Sequence, residues 1–214
     1  PKPSSAASDV YKRQALMGGM TLIPNSIVEI IASQTVATIQ EKIRTFTLVM
    51  IGIVTMMISS GGLFLANDQT PLWILILIGA FSGIGVGFIF VALQVKVQID
   101  AGMEDMATAT STSYLIRILA QTVMAAVYGV IMNLALASGI NTHSNITMHM
   151  MNELSDAKSA KLLPQSLLPE MRKIFHSGIH EIMAVSFILL LIATIFNFYF
   201  NFKQPNKKIN RSPK

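Results

Sequence analysis

From Thr45 to Ala66 the chain reads TFTLVMIGIVTMMISSGGLFLA, without a single charged side chain. An apolar run of about 18 residues or more is long enough to cross a bilayer as a helix. Hydrocarbon offers no partner for a backbone N–H or C=O, so a lipid-embedded segment of this kind must satisfy those groups internally. Similar runs recur at about 71–95 (PLWILILIGAFSGIGVGFIFVALQV) and 179–202 (IHEIMAVSFILLLIATIFNFYFNF). Only 13% of the 214 residues are charged and 52% are hydrophobic. Soluble domains carry about 25% charged residues, so this chain reads as an all-α, polytopic membrane helix bundle. About five transmembrane helices are expected, at about 15–39, 45–66, 71–95, 107–136 and 179–202.

Two of these segments carry polar stripes. In the first, Thr21, Asn25 and Glu29 are spaced by four, so they stack on one helix face. A carboxylate at mid-membrane costs roughly 2.5–3.5 kcal/mol on insertion scales, so such a group faces protein or water rather than lipid. In the fourth, Ser113, Arg117 and Gln121 share a face with Thr110 close by. Arg117 could instead snorkel to the headgroups, but its polar neighbours favour a place inside the bundle. These six residues are the expected substrate or proton pathway, with Glu29 as the protonatable group. The third segment repeats Gly79, Gly83 and Gly87, with Gly85 between, a small-residue spacing that lets a second helix approach closely.

The rest of the chain orders these spans. Residues 1–14 (PKPSSAASDVYKRQ) are polar, lack a signal-peptide core, and read as a linker or non-native segment. Lys42, Arg44, Lys96 and the basic tail 203–214 all fall on one side of an alternating five-span topology, which predicts a cytoplasmic C-terminus. The net charge of +5 therefore sets topology and is no sign of nucleic-acid binding. Residues 94–106 (QVKVQIDAGMEDM) read as a mixed-charge loop, and residues 138–178 as a long extracytoplasmic loop with a short amphipathic helix around Met148–Leu163. There is no cysteine, and no GxxxxGK[ST] or HExxH pattern. His143, His149, His176 and His180, the last two at i, i+4 beside Glu181, could suggest a metal site, but without an HExxH pattern none is expected; no cofactor and no enzymatic activity are expected either. The 14 methionines read as core filling.

The stretch from Gly18 to Asn133 resembles the C-terminal half of a major facilitator superfamily transporter, in its fourteen-helix drug:proton antiporter branch (EmrB/QacA-like multidrug exporters). Leu22–Ile23–Pro24 with the charged loop after it resembles that family's tenth helix and loop motif. GAFSGIGVGFIF (Gly79–Phe90) is similar to its twelfth helix, and ATATSTSYLIRILAQTVMAAVYGVIMN (Ala107–Asn133) to its thirteenth. The loop motif departs from the pattern: Ala37, Glu41, Lys42 and Arg44 stand where glycine, aspartate, arginine and glycine are usual. The resemblance implies the last five helices of a transporter whose N-terminal part, with its main proton-coupling acids, lies outside this chain.

These readings lead to one expectation, a proton-coupled exporter of amphipathic drugs in the bacterial cell membrane. The proton gradient would be its energy source, and a small molecule, the lipid bilayer and the missing N-terminal half its partners. Glu29 would then meet cationic substrates. The alternatives are a transporter of one specific metabolite, or a non-transporting membrane fragment or scaffold.

Overall fold

The computed structural model describes residues 23–66, 70–141, 145–155, 163–164 and 166–202. Thr21, His143, the polar segment 1–14 and the basic tail 203–214 lie outside the described residues. Those residues fold as α1 (23–39), α2 (Thr45–Leu65), α3 (Leu72–Asn141), α4 (Met148–Ser155) and α5 (Leu168–Asn201), with no strand among them. Three helices, α2, α3 and α5, are long and apolar enough to cross a membrane.

At 70 residues, α3 would measure about 105 Å if straight, more than three times a hydrocarbon core of about 30 Å. It is not straight. Gly102 has φ 78 and ψ 179, a conformation no helix contains, and one that glycine adopts without steric cost. Beyond it the chain doubles back. Gln98 Nε2 donates to Thr110 Oγ1 at 3.2 Å, and the Arg117 guanidinium carbon lies 4.7 Å from the centroid of the Phe90 ring. α3 is thus a hairpin of two antiparallel arms, 72–101 and 103–141.

The sequence predicts a mixed-charge loop over 94–106. The structure keeps helix on both sides of one residue instead. The segment is rich in helix-forming Gln, Lys, Ala, Met and Glu, and Lys96 and Asp100 close an i,i+4 ion pair at 2.6 Å. A similar shift occurs at α5, expected from Ile179 but starting at Leu168. Pro169 stands in its first turn, where a missing N–H costs nothing, and Glu170 meets the positive end of the helix. α4 covers Met148–Ser155 of the amphipathic stretch expected at 148–163, its first turn capped by Thr147 Oγ1, which accepts from Met150 N at 3.3 Å.

The first arm of α3 lies between α1 and α2. Val36, Leu48, Val49, Ile53 and Ala92 form the buried cluster that joins the three. A second cluster gathers Leu136, Ile146, Met151, Leu163, Met171 and Ile174 where α3 ends, α4 crosses and α5 begins. α5 also locks onto α2. Asn197, only 4% exposed, donates from Nδ2 to Phe46 O at 3.2 Å, and Ser60 Oγ donates to Met183 O at 3.2 Å. The outer faces of α2 and α5 leave Ile51, Val54, Ile58, Ile195 and Phe196 exposed.

Candidate functional site

The glycines of α3 position everything near the centre of the bundle. A Cβ at Gly83 would meet the Asn25 backbone carbonyl and stand 2.7 Å from Asn25 Oδ1 and 3.1 Å from Glu29 N. One turn on, a Cβ at Gly87 would stand 2.8 Å from Glu29 O and 3.1 Å from Ser33 N. A side chain at either position would collide with α1, so only glycine fits. Residue numbers rise together along this seam, so α1 and the first arm run parallel. Gly85 points the other way, 2.8 Å from Gly52 O and 3.0 Å from Thr55 Oγ1 of α2. Gly79, expected to belong to the same packing row, is half-buried.

Asn25 and Glu29 are both half-buried on the face of α1 that meets these glycines. Asn25 Oδ1 is shut off from solvent and accepts no hydrogen bond among the described residues. The Glu29 carboxylate makes no ion pair and no hydrogen bond with any described residue. A charge so placed has lost part of its hydration without a protein group to replace it.

The second polar stripe divides. Ser113 and Arg117 are half-buried, whereas Gln121 is exposed. Arg117 lies over two rings, its guanidinium carbon 4.7 Å from the centroid of Phe90 on the opposite arm and 4.7 Å from that of Tyr114 on its own. Cation–π contacts of this kind stabilise a guanidinium where water is scarce. They leave its N–H donors unused, and Arg117 makes no ion pair or hydrogen bond among the described residues. Ser113 opens onto a groove of about 480 Å³ along the hairpin, walled by Thr108, Thr112 and Ile116, with Asp105 near the bend.

The two stripes therefore meet the same arm of α3, α1 at Gly83 and Gly87 and the second arm at Phe90 and Gln98. No hydrogen bond or ion pair joins Glu29 to Arg117. The arrangement holds a carboxyl group and a permanently charged guanidinium, each without a counter-ion among the described residues. Sequence reasoning missed Gln94, whose buried Nε2 has no acceptor among the described residues, and Asn197. Asn197 is a single polar residue inside an apolar run, which was the available signal; Gln94 opens the mixed-charge stretch 94–106, where its polarity does not stand out.

Comparison with protein-family models, with curated proteins and with solved structures gives no match to this chain.

Proposed function

We propose that this chain is the C-terminal portion of a secondary active transporter with a major facilitator-like fold, one that exports amphipathic, often cationic, drugs in exchange for protons. The observation that carries the reading is Glu29, a half-buried acid whose backbone packs on Gly83 and Gly87 and whose carboxylate has no partner among the described residues. Intramembrane acids so placed serve ion and substrate pathways. In this reading α1, α2, the two arms of α3 and α5 are five spans of the bacterial cell membrane. The basic tail 203–214 is cytoplasmic, and a further set of helices completes the pathway on the side of α1 and the second arm.

The test is export from drug-sensitive cells that express the full-length protein with Glu29→Gln. Export of cationic dyes falls more than export of neutral ones if Glu29 contacts the cation. Equal loss for both classes rejects that role. A second reading, transport of one specific metabolite, draws on the unpaired Arg117, because a fixed positive charge suits a defined anionic group better than a range of cations. No protection of the cells against any cationic dye would favour it.

A further inference from the structure

We infer that the seam between the two arms of α3 is a binding site for a single carboxylate carried on an apolar, aromatic-sized body, held by Arg117 and Gln94. This site is separate from Glu29, and the inference stands whether or not the chain exports drugs.

The placement follows from the hairpin. Phe90, Gln94 and Gln98 are one turn apart on the first arm. Phe90 meets Arg117 across the seam and Gln98 donates to Thr110 across it. Gln94, between them on the same face, must look across as well. Opposite it, in antiparallel register, stand Ser113 and Tyr114. The seam thus brings together the Arg117 guanidinium, the Gln94 carboxamide and the Ser113 hydroxyl.

The chemistry of these groups is one-sided. Arginine has five N–H donors and no acceptor, and here the guanidinium lies over two rings while its N–H groups meet no described oxygen. Gln94 Nε2 is buried with no acceptor among the described residues. Buried donors without acceptors are rare in proteins and call for an explanation. Gln94 is such a group, and half-buried Arg117, one turn along the seam from Ser113, adds N–H edges that meet no described acceptor, so the two call for the same missing partner. An acceptor-only, negatively charged oxygen pair fits best, because a carboxylate takes a guanidinium edge-on through two parallel hydrogen bonds and has lone pairs left for the amide. Glu29 is not that partner, since its backbone packs on Gly83 and Gly87 and its carboxylate reaches no described cation.

The walls define the rest of the ligand. Phe90, Tyr114 and Ile116 offer apolar and aromatic surface beside the charge. The groove of about 480 Å³ that starts at Ser113 leads toward the bend and passes Asp105. An acid at that end repels a second negative group, so the site selects monoanions over dianions.

The experiment is equilibrium dialysis of the full chain in lipid nanodiscs, with empty nanodiscs as the reference, no ion gradient, and naphthoate as probe beside its neutral isostere naphthamide. Naphthoate is retained above the reference, and naphthamide binds about tenfold or more weakly, the difference one charge-assisted hydrogen bond carries. Arg117→Gln removes that preference, so that the two probes bind alike. Gln94→Leu, which changes no charge, weakens naphthoate about threefold and carries the test if Arg117→Gln does not assemble. Equal binding of the two probes, no retention above empty nanodiscs, or naphthoate binding unchanged in both variants overturns the inference. Because no transport is measured, a negative result leaves the export reading standing, and failed export leaves this site standing.

Discussion

Glu29 and Gly87 touch backbone to backbone: a Cβ on Gly87 would stand 2.8 Å from the Glu29 carbonyl oxygen. The helix that carries the unpaired acid is held by the absence of a side chain on its neighbour. Gly83→Val should therefore push α1 off α3 and destabilise the bundle by about 1–3 kcal/mol, as overpacking does. Gly129 has nothing within 4 Å of its would-be Cβ. Gly129→Ala should be neutral or stabilise by about 0.5–1 kcal/mol through helix propensity. Thermal unfolding in detergent followed by circular dichroism separates the two, and equal effects would contradict the packing described.

A β-branched residue at Gly102 meets open space but the wrong backbone, because its φ of 78 disfavours any side chain. Gly102→Val should cost about 1–3 kcal/mol and loosen the hairpin. The chain has no cysteine, so Gln98→Cys with Thr110→Cys gives a clean pair for a short bismaleimide. Cross-linking should be efficient with Gly102 intact and reduced when Gly102→Val is added; no reduction would mean that the bend does not depend on glycine.

At the C-terminal end of α2, the two histidines of α5 are not equivalent. His176 Nε2 lies 3.0 Å from Ala66 O and donates to it. His180 stacks on Phe64 with centroids 4.9 Å apart, and its Nε2 is buried without a partner among the described residues. His176→Phe should lose about 0.5–1.5 kcal/mol, the net worth of one hydrogen bond. His180→Phe keeps the stacking and removes an unmet polar atom, so it should leave the melting temperature unchanged or raise it. The opposite order of the two variants would reverse their assigned roles.

Asn197 ties α5 to α2 through Phe46 O at 3.2 Å within an otherwise apolar wall. Interhelical hydrogen bonds in membrane proteins average about 0.6 kcal/mol and reach about 1.7. Asn197→Leu should fall in that range in a reversible unfolding assay in mixed micelles. A gain in stability would show that apolar packing there outweighs the bond.

Much of this architecture is legible in the chain. Thr45–Leu65 can be placed from its lack of charge alone, because a bilayer-length apolar run leaves few choices. Gly83 and Gly87 can be marked for close packing from their spacing, yet which helix they meet cannot, since a small residue says nothing of its neighbour. The polar segment 94–106 reads as a loop because dense charge is common in irregular structure; helix propensity and the Lys96–Asp100 pair outweigh it, and only Gly102 breaks. The early start of α5 is hidden for the same reason, behind Arg172, Lys173 and His176. Asn25, Glu29 and Arg117 stand out by depth and charge, but their lack of counter-ions depends on which residues stand opposite, and that is a property of the assembled bundle.

The cluster of Met151, Met171, Leu136 and Ile174 has a mechanical meaning. It bolts the far end of the α3 hairpin to the near end of α5, and Gly139, whose would-be Cβ stands 2.5 Å from Ile174 Cγ2, tightens the joint. That corner behaves as a fixed post. The opposite flank is joined differently: α1 enters the other buried cluster through Val36 and otherwise lies directly on the glycines of α3.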